Sequence, residues 1–164
     1  MASKAKSYVP DGLRTLTPHL SVRGGAEAIA FYKKAFGAEV KSQSPGPVPG
    51  SIIHAELRIG DSAFFLADEM AGSPLKSPTS AGASTVTMNV FVPDSDAVFN
   101  QAIAAGAKVL MPLGDQFWGD RYGQLVDPFG HVWAIATHKE DLSAEETARR
   151  AQEFFASYKP PGKA

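Results

Sequence analysis

The sequence predicts an α+β fold: two tandem βαβββ modules whose cupped mixed or antiparallel sheets carry helices on their outer sides, followed by a C-terminal helix. Three observations lead there. The chain repeats itself, with FGAEV at 36–40 matching AGAKV at 105–109 at an offset of 69, and Val22 matching Val92 at an offset of 70. Period-two alternation marks strands in both halves. Between the first strands of each half runs an amphipathic segment ended by glycine, as a helix between strands requires.

The elements follow in order. The first module spans 8–69 and opens with a strand at Leu16 to Val22, where Thr17, His19 and Ser21 share one face and Leu16, Leu20 and Val22 the other. Pro18 suits an edge strand, because it lacks the N–H a central ladder needs. After Gly24-Gly25, Ile29, Tyr32 and Phe36 recur at helical spacing up to Gly37. Residues 44–50 (SPGPVPG) read as a loop, and strands follow at Ile52 to Ile59 and Ala63 to Asp68, joined at Gly60-Asp61. Residues 70–84, rich in Gly, Pro, Ser and Ala, read as a linker. The second module, 85–138, repeats the order. It has a strand at Thr85 to Val92, a helix capped by Asp94 and ended by Gly106, and strands at Tyr122 to Val126 and Val132 to Thr137 around Asp127-Pro128-Phe129-Gly130. The tail, 139–164, carries a helix with a Ser143/Glu146 capping box, apolar anchors Phe154, Phe155 and Tyr158, and a stop at Pro160-Pro161-Gly162.

Each module has one helix and so covers one sheet face. The other face stays open, and two open faces that meet would enclose a cavity. On the open face of the first module alternation places Thr17, His19, His54, Glu56 and Arg58. The repeat maps His19 onto Asn89, His54 onto Tyr122 and Glu56 onto Gln124, so one face is ionisable and its twin is neutral. His54 and Glu56 lie two apart on one strand, with Cα atoms about 6–7 Å apart and side chains pointing the same way. A histidine near neutral pH donates or accepts a proton and a carboxylate orients it, which makes this pair the candidate acid and base. The segment Gln116-Phe117-Trp118-Gly119-Asp120-Arg121 sets rings beside charges, as a pocket for a planar or amphipathic ligand does. Trp118 and Arg121 are its candidate contacts, and Phe64, Leu66 and Phe91 add apolar lining. His131 and His138 read as structural.

Composition bounds the function. A net charge of −1 gives no broad surface for nucleic acid. The absence of cysteine removes thiolate nucleophiles, thiolate metal sites and disulfides, and fits a reducing cytoplasm. The N-terminus lacks the apolar core of a signal peptide and no run of about 18 apolar residues exists, so a cytoplasmic protein without a membrane segment is expected.

The segments TPHLSVRGGAEAIAFYKKAFGAEV, IHAELRIGDSAFFLADE and DQFWGDRYGQLVDPFGHVWAIATHKEDLS together resemble PhnB-like proteins of the vicinal-oxygen-chelate superfamily, that of glyoxalase I, bleomycin-resistance proteins and extradiol dioxygenases. The resemblance covers about residues 8–150. It implies paired βαβββ modules and a homodimer, but not one reaction. Metal-dependent members place His or Glu ligands on the first and last strand of each module. Here those positions align with Thr17, Leu66, Thr87 and Ala134, too poor a set for zinc or iron, which want about three protein ligands. No resident cofactor is therefore expected. His19, His54 and Glu56 remain the one set that could take a divalent metal. Three functions stand: a small-molecule binding protein without catalysis, a metal-dependent lyase, isomerase or oxygenase using that set, and a metal-free enzyme using His54 and Glu56.

Overall fold

The computed structural model describes residues 4–158 and shows two four-stranded sheets with four helices. The stop expected at Pro160-Pro161-Gly162 lies outside the described residues. The first module runs β1 (His19–Val22), α1 (Gly25–Phe36), β2 (Glu39–Pro45), β3 (Ile52–Ile59) and β4 (Ser62–Asp68), with strand order β1-β4-β3-β2 in sheet A. The second runs β5 (Thr87–Phe91), α3 (Ser95–Ala105), β6 (Lys108–Asp115), β7 (Asp120–Val126) and β8 (Val132–His138), with order β5-β8-β7-β6 in sheet B. A short helix, α2 (Pro78–Ala81), lies between the modules, and α4 (Ala144–Ser157) follows them. In both sheets the first strand pairs parallel with the last and the rest are antiparallel, so the repeat read in the sequence is a repeat of topology.

Each helix starts where the strand order leaves a donor-rich turn. The α1 N-cap is Gly24, at φ 91°, with no side chain to cap it. Asp68 at the end of β4 does that work, accepting from the Gly24 and Gly25 N–H groups at 2.9 Å and from Ile52 N–H at 2.7 Å. Gly25 has no room for a side chain, since a Cβ there would lie 2.6 Å from Asp68 Oδ2. The second module uses its own Asp94 as cap, and Thr137 on β8 accepts from Ser95 N–H at 2.9 Å.

Four elements differ from the sequence reading. β1 begins at His19, although the Pro18 carbonyl still accepts from Phe65 N–H at 2.8 Å. Leu16, expected on the buried face, is 85 % exposed. β2 and β6 pass unmarked in the sequence because their residues do not alternate between buried and exposed. Every β2 residue but the half-buried Val40 is exposed, and β6 runs through Pro112 and two register shifts, so neither alternates. The linker is not wholly loop, for Ser77 and Pro78 supply the N-cap and first position of α2. Ser77 is fully buried, and both its N–H and its hydroxyl donate to Glu69 at 3.0 and 2.7 Å.

The core joins the modules by their helix sides. Phe64 of sheet A and Trp133 of sheet B have ring centroids 6.0 Å apart, and Tyr32 of α1 lies against both. Buried Asp127 accepts from Tyr32 Oη and Trp133 Nε1, each at 2.8 Å. Because the helix sides of the two sheets turn inward on one core, their open faces turn outward and apart. The cavity expected between two open faces is therefore not formed within one chain.

Candidate functional site

The open face of sheet A is built by register. Ser42, Glu56, Phe65 and His19 form one row across its four strands, and Ser44 stands opposite His54 in the next. Alternation then sends Ala55 and Leu57 into the core and leaves His54, Glu56 and Arg58 on the open side. The rings of His19 and His54 meet edge-on at 6.4 Å, and Phe65 packs against both, at 6.1 and 4.8 Å. Partial burial, with the neighbouring His54 second, lowers the His19 pKa from the ordinary 6.5 and favours a neutral ring at pH 7. Arg58 donates to the Gly60 carbonyl at 3.0 Å, at the β3–β4 turn.

Three of the expected contacts on this module fall elsewhere. Phe64 faces the helices and is a core residue, 4 % exposed, while its neighbour Phe65 takes the open face. A Phe-Phe pair leaves the strand phase ambiguous by one residue, and the larger aromatic core around Tyr32 and Trp133 settles it. Thr17 lies before β1, and its hydroxyl donates to the Arg14 carbonyl at 3.0 Å. Leu66 also belongs to the core, fully buried, so the open-face partner of Ala134 in the first module is Phe65.

Sheet B presents Asn89, Ala134 and Gln124 in one row and Phe91, Ala136 and Tyr122 in the next. Gln124 Nε2 donates to Tyr122 Oη at 2.7 Å, and Trp118 meets the Tyr122 ring edge-on at 5.5 Å. Asn89, Tyr122, Gln124 and Phe91 thus share the face foreseen for them. Arg121 does not, because on β7 it has the opposite phase to Tyr122. It reaches α3 and forms a short two-pronged ion pair with Asp96, with Asp115 at 3.2 Å. The next row of the open face is Asp120 opposite His138. Their side chains meet at 2.7 Å, and Asp120 also accepts from Trp118 Nε1 at 3.0 Å. Sheet B is therefore not wholly neutral. Its ionisable pair lies at its end, where the register of β7 on β8, rather than any residue spacing, brings the two together.

The superfamily's metal positions fail a direct test. Thr17, Phe65, Thr87 and Ala134 offer no imidazole and no carboxylate, and no step is derived through a metal there. Among the described residues no three His, Cys, Asp or Glu side chains converge as metal ligands, so His19, His54 and Glu56 do not close into a site in this geometry. A cavity of 630 Å³ touches the open face of sheet B only at Asn89 and Phe91, and most of its lining lies off both open faces. Leu16, Pro18, Phe64, Val90, Phe91 and Trp133 are among its lining, where the start of β1 approaches β5.

A family model described as the Glyoxalase/Bleomycin resistance protein/Dioxygenase superfamily matches residues 15–135. A Mycobacterium tuberculosis protein of uncharacterised function is 45 % identical over 134 residues, which are 80 % of this chain and 78 % of that one. Among solved structures, the PhnB protein from Bacillus cereus superposes with a TM-score of 0.60 at 25 % identity, over 76 % of this chain and 99 % of its own. TioX from Micromonospora sp. ML1 does so with a TM-score of 0.59 at 25 % identity, over 79 % of this chain and 100 % of its own. No helix among the described residues is long and apolar enough to cross a membrane.

Proposed function

The chain belongs to the Glyoxalase/Bleomycin resistance protein/Dioxygenase superfamily and is PhnB-like, and from that premise we propose that it binds a small planar or amphipathic molecule without a resident metal, in a cup completed by a second copy. The observation that carries the reading is the His19, His54 and Phe65 cluster on a sheet face that no helix among the described residues covers. Three rings beside Glu56 and Arg58 give an apolar contact surface with hydrogen-bonding groups at its margin, the composition of a ligand pocket. One such face is only half a pocket. The complementary half, Tyr122, Gln124, Asn89, Phe91 and Trp118, points the other way in the same chain, so a homodimer that sets sheet A of one copy against sheet B of the other supplies both walls.

Strand edges and exposed side chains support that assembly. β1 and β5 are edge strands in their sheets. Around them Leu16, Val86 and Phe91 are 85, 63 and 64 % exposed, a cost that a partner surface removes.

A second reading, a metal-free acid–base enzyme, draws on His19. A ring kept neutral at pH 7 can take a proton; His54 meets it edge-on, and Glu56 stands in the same row beyond Phe65.

The test uses protein purified without added ions. Elemental analysis, beside a His54→Ala control, is expected to find far less than one metal per chain. Saturation-transfer NMR against a panel of planar aromatic fragments is expected to find binders that His54→Ala and Trp118→Ala each weaken by about tenfold or more. Near-stoichiometric metal that disappears in His54→Ala would overturn the metal-free reading, and binders indifferent to both substitutions would overturn the site.

A further inference from the structure

His138 and Asp120 occupy the end of sheet B's open face and touch a residue of the binding wall, yet nothing in the proposed binding reaction requires them. Asp120 is the hub. Its carboxylate is 12 % exposed, with Oδ2 accepting from the Trp118 indole at 3.0 Å and Oδ1 meeting His138 Nδ1 at 2.7 Å. The loop that carries Trp118 is otherwise tied at Gly119, whose carbonyl accepts from the Lys139 and Glu140 N–H groups, each at 3.0 Å. Phe117, the preceding residue, packs on Phe154 and Phe155 of α4 at 5.3 and 5.9 Å. The backbone and Phe117 thus fix where the loop sits. The indole itself meets Phe117 and Tyr122 edge-on, at 5.0 and 5.5 Å, and its N–H has one hydrogen-bond partner, Asp120.

We propose that Asp120 and His138 are positioning residues for Trp118, and that imidazole and indole compete for the one carboxylate, so that the proton on His138 sets how firmly the aromatic wall is held. The physics is that of a shared acceptor. An imidazolium at 2.7 Å draws on the Asp120 charge and weakens its other hydrogen bond; a neutral imidazole leaves the carboxylate a stronger acceptor for the indole N–H.

The groups facing His138 set the direction of this titration. Asp141 lies 3.0 Å from Nε2 and, as the larger influence, with Asp120 second, raises the His138 pKa from 6.5. Lys139 is occupied by Asp115 at 3.3 Å, Glu140 is paired with Arg150 of α4, and Arg121 faces Asp96 and Asp115. Since the folded pKa is raised, the doubly bridged state is complete below 6.5 and is lost as the pH climbs through the raised value. The functional meaning of this device, regulation of ligand affinity by pH, rests on the proposed binding role; the coupling itself does not.

The test needs no ligand. The indole N–H resonance of Trp118, identified by its loss in Trp118→Phe, is followed from pH 5 to 9 with the His138 ring protons. The expected result is one shared midpoint above 6.5, with the indole proton moving downfield as pH rises. In His138→Gln, which keeps a donor but cannot titrate, the indole should stop responding. In Asp141→Asn both midpoints should fall together, which keeps the proposal testable even where His138→Gln perturbs folding. An indole that ignores the His138 titration, or that responds unchanged in His138→Gln, overturns the proposal while leaving the ligand test unaffected.

Discussion

Asp127 gathers donors from three parts of the chain. Its Oδ1 accepts from the Phe129 and His131 N–H groups at 2.9 Å, which shapes the turn, and its Oδ2 accepts from Tyr32 and Trp133, which ties that turn to α1. His131 then donates from Nε2 to the Ser21 carbonyl of β1 at 2.9 Å, a structural role as its sequence position suggested. Burial, and next the Asp127 charge, push the Tyr32 phenol well above its usual pKa of 10.0, so it stays a donor at any working pH. Asp127→Ala leaves four donors with no acceptor and should cost about 4 kcal/mol in urea unfolding, whereas Tyr32→Phe removes one bond and should cost about 1 kcal/mol. Equal losses would mean that the carboxylate is not the hub. His19 gives a second prediction at this scale. Its folded pKa is depressed, so the stability present above 6.5 is lost as pH falls through the folded value. His19→Asn should accordingly lose less stability than the wild type between pH 7 and 5, read as a smaller fall in Tm. Residue phase was legible wherever a strand alternates cleanly, as at His54, Glu56 and Arg58. It failed at Phe64 and Phe65, where two like side chains adjoin, and at Arg121, read as part of a loop although β7 already runs through it.

The connecting elements show how local chemistry fixes what composition leaves open. The 70–84 segment reads as linker because it is rich in Gly, Pro and Ser, yet Glu69 holds it down through Ser77 and Lys76, and Ser80, then Ser77, with Lys76 a smaller influence, lower the carboxylate pKa to about 2. The stability this contact adds is present above the usual carboxylate range and fades as pH falls toward about 2. In α4 the capping box forms by half. Ser143 Oγ accepts from Glu146 N–H at 3.2 Å, while the Glu146 carboxylate turns to Arg149 and Arg150, each at 2.7 Å. Ser143→Ala should cost the helix about 1 kcal/mol. None of the α4 residues is buried, so the loss should appear as faster amide exchange within 144–157 and leave the melting of the two modules almost unchanged. A fall in the global Tm of several degrees would show that α4 is integral to the core. α1, α3 and the inner strands were readable because each buries a periodic apolar face, and α4 because of its Ser143 cap and spaced aromatic residues. β2 and β6 were not, because β2 is exposed at every residue but Val40 and β6 is interrupted by Pro112 and two register shifts, so neither shows such a pattern.

At the scale of the molecule, the repeat leaves two open faces that the proposed assembly would join. Two modules share one core by their helix sides, with Tyr32, Phe64 and Trp133 in mutual contact, and the same packing that stabilises the chain separates its two open faces. The sequence revealed the repeat and hence two open faces. It did not reveal that they diverge, since the direction in which modules pack is decided by contacts such as Phe64 on Trp133 that no periodicity encodes. A cup of unlike halves then has a consequence that can be counted. Let one copy carry His54→Ala and another Trp118→Ala. If each cup combines sheet A of one copy with sheet B of the other, neither homodimer holds an intact cup, but every mixed dimer holds one free of both substitutions and one with both. Random mixing should therefore restore roughly a quarter of the wild-type sites, at wild-type affinity, as two-fold symmetry requires. If each chain bound ligand on its own, mixing would restore none. Phe91→Asp with Val86→Asp should give monomers by light scattering and abolish that recovery. Recovery that survives in monomers, or dimers that persist with both substitutions, would place the second wall elsewhere.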